Sequence, residues 1–156
     1  MNIEFINPFV SAAVNVLRTM AATDLKVGKI SKRDDTVTLG EVTGIIGMAS
    51  QEISGNMVLS FERKTILGIV HRMLMEEFTE INHEVVDAVG ELTNMICGGA
   101  KGELNKKGYL FDMASPVMVV GKNVEITQMS EGPTMSIPFY TQDGMFVVEA
   151  NLSEKK

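Results

Sequence analysis

A chain of 156 residues, 45% hydrophobic and 22% charged, is enough for one domain spanning residues 1–156, with a core that needs no covalent staples. Its net charge of −6 is spread along the chain, which argues against nucleic acid or an anionic membrane as partner and suits a cationic group on another protein. The single cysteine, Cys97, excludes an intrachain disulfide; no apolar run approaches the about 18 residues of a membrane span, and the opening MNIEFINPF lacks a signal peptide's basic region, so a cytoplasmic protein is expected.

Asn7-Pro8 reads as a helix start, with Asn7 as cap and Pro8 at the first helical position. Phe9, Ala12, Ala13, Val16, Leu17 and Met20 follow at helical spacing through about Ala22. Leu25, Val27 and Ile30 predict a strand, then a polar turn around Lys32–Asp35. Val42–Ala49 predicts another, whose Gly44 and Gly47 permit a bulge or close packing. Glu52–Asn56 reads as a turn and Met57–Phe61 as the second arm of a hairpin.

The period then becomes helical at Ile66, Leu67, Ile69, Val70, Met73 and Leu74, ending near Met75–Glu77. A third and longest helix starts at Thr79 or Asn82 and runs towards Gly102 or Leu104. The last third returns to strands: Val117–Val120, Val124–Met129, Thr134–Tyr140 and Met145–Leu152. They are divided by Gly121-Lys122-Asn123, Glu131-Gly132-Pro133 and Gln142-Asp143-Gly144, the last a strong hairpin signal. Ser153–Lys156 reads as a loose end. Connections this short exclude parallel crossovers, so the fold class is α+β with mostly antiparallel pairing, and the order hints at a duplicated α–β half.

The third helix carries the candidate chemistry. On a helical wheel Val85, Val89, Leu92 and Ile96 fall within about 60° and form the buried stripe, while Asp87, Glu91, Asn94 and Gly98 share a narrow face almost opposite. Gly90, Gly98, Gly99 and Gly102 cost about 1 kcal/mol each against alanine in a helix interior. They either let something approach the backbone or simply end the helix at Gly98-Gly99. Glu84, Asp87 and Glu91 repel one another, and no lysine or arginine lies between Glu84 and Lys101 to offset them. A cation from a partner would; an ordinary solvated face is the plain alternative.

Other chemistry is thin. His71, His83 and Cys97 have no metal-ligand spacing, Cys97 reads as a buried or half-buried thiol, and Gly98-Gly99-Ala100-Lys101 lacks the context of a phosphate loop. Twelve methionines suit an adaptable core. Met95, Met129 and Met135 are the ones that would soften a contact surface, although burial is the expected role of each.

Asp87-x3-Glu91-x2-Asn94, with Pro116 after 21 intervening residues, resembles the signature of the CheC/CheX family of chemotaxis phosphatases. The Asn7-Pro8-Phe9 helix, the glycine-containing strand 42–49 and the stretch Glu91–Gly99 resemble the CheX type within it. The resemblance implies a CheC/CheX-like α+β fold with a long antiparallel sheet, a paired exposed helix layer and pseudo-duplicated halves. It implies removal of the phosphoryl group from the aspartate of a CheY-type response regulator, in chemotactic two-component signalling. Asn94 would be the catalytic amide and Glu91 the acidic contact, with Asp87, Gly98 and Pro116 in support. No cofactor of its own is implied, the Mg²⁺ arriving with the phosphorylated partner, and a homodimer is expected. On the first helix the motif spacing falls on Ser11, Asn15 and Arg18, without acid or amide, which leaves one active site per chain. The alternative is a non-catalytic module on the same fold that binds a response regulator or the flagellar switch.

Overall fold

The computed structural model describes residues 3–33, 35, 37–127 and 133–154. In chain order the elements are α1 (Ile3–Ala21), β1 (Lys26–Val27), β2 (Ser31–Arg33), β3 (Val42–Ala49), β4 (Ile53–Phe61), α2 (Arg63–Leu74), α3 (His83–Lys106), β5 (Asp112–Met113), β6 (Val117–Val120), β7 (Thr134–Tyr140) and β8 (Met145–Glu154).

Among the described residues these strands make one eight-stranded sheet in the order β1-β7-β8-β4-β3-β5, with β2 also on β7 and β6 also on β3. Every pairing is antiparallel. The hairpins β3–β4 and β7–β8 meet through β4 and β8 over nine residue pairs, Ile53↔Glu154 to Phe61↔Phe146. Each half lends its short strands to the other: β1 and β2 pair with β7, while β5 and β6 pair with β3. The succession α1-β1-β2-β3-β4 is thus repeated as α3-β5-β6-β7-β8, with α2 inserted between.

One face of the sheet carries the apolar core. Phe61, Phe139 and Phe146 stack at 4.7 and 5.1 Å between ring centroids, and Phe9 and Leu17 of α1 and Leu92 and Ile96 of α3 are fully buried with them. The opposite face buries polar groups, several of which pair with one another, while Asn56 Oδ1 has no hydrogen-bond partner among the described residues. Thr43 and Ser60 share a hydrogen bond of 2.8 Å, Asn151 donates to Thr134 at 3.0 Å, and Arg33 Nη1 donates to both Glu149 oxygens at 2.9 Å.

Several expectations about boundaries are corrected. α1 starts at Ile3 and not at Asn7, so Pro8 lies inside it. Proline there removes the hydrogen bond to the Glu4 carbonyl, and Lys107 Nζ, 3.4 Å away, takes the donor's place. The strand expected at Leu25–Ile30 is two short pieces, and Lys32 and Arg33 belong to the second rather than to a turn. The ladder breaks opposite Pro138, which accepts from Gly28 N–H at 2.8 Å but has no N–H to return. β4 begins at Ile53, because Ser50 closes the hairpin earlier: its N–H donates to the Ile53 carbonyl at 2.7 Å, and its Oγ accepts from Ile53 N–H at 2.9 Å. In the stretch expected to be a strand at Val124–Met129, the described part contributes one bridge, Glu125 to Val37, and Met129 lies outside the described residues, as does the Glu131-Gly132 turn. Ser153 and Glu154 are not loose but end β8, paired with Ser54 and Ile53. The Asp143-Gly144 turn is as expected, with Gly144 at φ +149°.

Candidate functional site

α3 begins at Asn82, whose side chain accepts from Val85 N–H at 3.0 Å and satisfies one of the open donors of the first turn. Val85, Val89, Leu92 and Ile96 are all fully buried, as their spacing requires. Thr93 is buried as well, its hydroxyl donating to the Val89 carbonyl at 2.7 Å. It lies on Gly44 of β3, where any side chain would overlap its Oγ1. Gly90 faces Met118 of β6: a Cβ there would stand 3.5 Å from the sulfur. Gly99 faces Ala12 of α1, with 3.0 Å between the would-be Cβ and Ala12 Cβ. α3 is therefore wedged between β3, β6 and α1, which fixes its rotation.

That rotation leaves Asp87, Glu91 and Asn94 exposed on one side. Asp87 Oδ2 pairs with His83 Nε2 at 3.3 Å, one turn earlier. Glu91 and Asn94 have no side-chain hydrogen bond or ion pair among the described residues. Gly98, the next residue along the face after Asn94, would meet nothing within 4 Å if it carried a side chain. The outer surface of the helix is bare there. Nor do Gly98-Gly99 end the helix, which continues to Lys106 because Ala100 and Leu104 remain buried.

Pro116 is not on this helix. It occupies the break between β5 and β6, where Ala114, Ser115 and Pro116 stand opposite only Ile46 and Gly47 of β3, a bulge that suits a residue without an N–H. Its link to the pair runs through β6 and the Met118–Gly90 contact. Met95 and Met135 are half-buried against the core. Burial pushes the Cys97 thiol up to about 12, against a smaller opposing effect of Lys101, so it is no nucleophile at neutral pH.

Two clefts, of about 690 and 410 Å³, lie elsewhere: one between Ala49–Glu52 and Gly108–Asp112, the other among Thr38–Glu41, Glu62–Lys64 and Lys122-Asn123. The Glu91–Asn94 face is open and suits a protein surface rather than an enclosed small molecule. No group of three or more histidine, cysteine, aspartate or glutamate side chains that could hold a metal occurs among the described residues. No helix of the described residues is long and apolar enough to cross a membrane. The sequence reading missed His83 as the partner of Asp87, although their four-residue spacing is a visible signal. It also missed Lys107 beside α1, which no local pattern reveals.

Comparison with known proteins places these features in a family. Residues 42–140 match the model of the chemotaxis phosphatase CheX family. The chain is 25% identical to the CheY-P phosphatase CheX of Thermotoga maritima, over 88% of both chains. Its fold matches a CheC-like superfamily protein from Shewanella sp. PV-4 with a TM-score of 0.92 and 44% identity, over 98% of this chain and 99% of the other. It also matches the Borrelia burgdorferi CheX–CheY–BeF3–Mg²⁺ complex with a TM-score of 0.79 and 27% identity, over 99% and 100%. The FliM middle domain of H. pylori, at 9% identity and a TM-score of 0.59 over 97% and 92%, shares the fold alone. The chain belongs to the chemotaxis phosphatase CheX family.

Proposed function

We propose that this protein hydrolyses the aspartyl phosphate of a CheY-type receiver domain, with Asn94 positioning the water and Glu91 docking the partner. The observation that carries the reading is the exposed Glu91–Asn94 couple, unpaired among the described residues, on a chain similar over 88% of its length to the CheY-P phosphatase CheX of Thermotoga maritima. The Borrelia burgdorferi complex supports the choice of partner: its CheX is bound with CheY, BeF3 and Mg²⁺.

An acyl phosphate is already activated, so hydrolysis asks little of the phosphatase beyond placing a water in line with phosphorus. The water oxygen bonds to phosphorus, the bond from phosphorus to the aspartyl oxygen breaks, and the carboxylate and inorganic phosphate separate. A carboxamide accepts a hydrogen bond from the water while donating one to a phosphoryl oxygen. A carboxylate there would repel those oxygens, so the amide belongs at position 94 and the acid at 91. Glu91 would meet the receiver's active-site lysine and set the register of docking. Three residues apart on a helix, both side chains reach one pocket. Positioning of this kind is worth about 10²–10³-fold, or roughly 3–4 kcal/mol. The Mg²⁺ comes with the receiver, in the cytoplasm.

A second copy of the chain would pair along β6, as the exposed apolar edge of the sheet suggests: Val117 and Val120 are 61% and 54% exposed and the strand carries no charge. The second reading is a non-catalytic module that binds a receiver or the flagellar switch, on the fold it shares with the FliM middle domain. It predicts binding without faster phosphate release. Release of phosphate from a phosphorylated receiver domain, with and without the protein, separates the two.

A further inference from the structure

The charges of α3 are sorted by sign along its exposed side. Glu84, Asp87 and Glu91 stand before Asn94, and Lys101 is the first cation after it. Seven residues make almost two full turns of a helix, so Lys101 and Asn94 lie within about 20° of each other on the helical wheel and about 10 Å apart along the axis. Gly98 occupies the turn between them and would meet nothing within 4 Å if it carried a side chain. No side chain of α3 rises on that line between the amide and the lysine.

Lys101 is half-buried, and its ammonium has no hydrogen bond or ion pair among the described residues. Glu103, the nearest acid in sequence, pairs with Lys106 at 3.4 Å instead. In a chain with 20 acidic and 14 basic side chains, a cation left unmatched is not explained by a shortage of acids. Helical side chains lean over the turn before their own Cα, which sends this ammonium back across Gly98 towards Asn94. Its charge is felt in that turn, where it opposes part of the effect of burial on the Cys97 thiol.

We propose that Lys101 is a second docking contact for the receiver, meeting a carboxylate beside its phosphorylation site; this rests on the reading of Glu91 and Asn94 given above. The substrate's own chemistry supplies the carboxylate. The receiver brings Mg²⁺, and a protein holds that ion through one or two carboxylates besides the phosphoryl oxygens, so acidic groups border the reacting phosphorus. Glu91 takes the receiver's lysine on one side of the amide, and Lys101 takes a carboxylate on the other. Two contacts of opposite sign, about 15 Å apart along the helix, fix which way round the receiver lies, because the reversed pose brings like charges together.

The test measures affinity and turnover for wild type, K101M, K101E, K101R and N94A. Affinity is read by titrating a receiver domain loaded with BeF3 and Mg²⁺, turnover by phosphate release from the phosphorylated receiver. K101M is expected to weaken binding about threefold and K101E about tenfold or more, with kcat within about twofold of wild type. K101R is expected to restore wild-type affinity, and the loss in K101E to shrink as salt is raised. K101M keeps the aliphatic stem and guards against a loss of affinity through disturbed packing. The proposal is overturned if K101E binds as wild type does, if K101R behaves as K101M, or if the loss appears in kcat with affinity unchanged. A wild-type chain that neither binds nor dephosphorylates the receiver overturns the reading of Glu91 and Asn94 and Lys101 with it; activity that is lost in N94A, with affinity untouched in K101E, overturns Lys101 alone.

Discussion

Thr93 fills the space that a side chain on Gly44 would need, and Asn94 is its neighbour in sequence. β3 and α3 are in tight contact at that point, so a residue next to the candidate amide also helps to seat the helix on the sheet. Replacing Gly44 by alanine is expected to push α3 outwards, destabilise the fold by about 1–3 kcal/mol and lower phosphate release out of proportion to receiver binding. Gly47 is the control: a Cβ there meets only Ala114 Cβ at 3.8 Å. Urea unfolding and phosphate release of G44A and G47A check both halves.

Cys97 should be inert in the folded chain. Burial holds its thiol near a pKa of about 12, so almost no thiolate exists at pH 8. A chromogenic disulfide reagent is expected to react with one thiol per chain in denaturant and with essentially none under native conditions. Rapid native labelling would show that the interior of α3 opens.

Glu149 links stability to pH. Burial raises its folded-state pKa above the ordinary value of 4.5 despite the opposing hydrogen bonds and charge of Arg33. The folded state then holds the proton more tightly than the unfolded chain. Its stabilising contribution is complete below about 4.5 and is lost as pH rises through the raised folded value. The difference in unfolding free energy between wild type and E149Q is therefore expected to shrink or change sign against wild type as pH rises. A difference that stays flat contradicts the assignment.

The β6 edge should govern self-association. The opposite edge presents Lys26 and Lys32 along β1 and β2, which discourages strand addition, whereas β6 reads Val-Met-Val-Val. V117K/V120K is expected to convert a dimer to a monomer in sedimentation, with the fold intact by circular dichroism. A dimer that survives the pair places the interface elsewhere.

Much of this was legible in the sequence, and the failures have physical causes. Val85, Val89, Leu92 and Ile96 state the buried face of α3 outright, and the exposure of Glu91 and Asn94 follows by subtraction. β3, β6 and β7 were readable to the residue, because runs of β-branched side chains between glycine turns leave little freedom. The start of α1 was not: Asn7-Pro8 imitates a cap and first turn, and only Lys107, 103 residues from the Glu4 carbonyl it reaches, shows how the proline is tolerated within the helix. Two-residue strands such as β1 and β5 are too short to alternate.

The most direct measurement is the steady-state kinetics of phosphate release from a phosphorylated receiver domain by wild type, E91A and N94A. N94A is expected to lower kcat by about 10-fold or more with KM little changed, since the amide acts on the water and not on docking, and E91A to act chiefly on KM. Wild-type kcat in N94A would contradict the account.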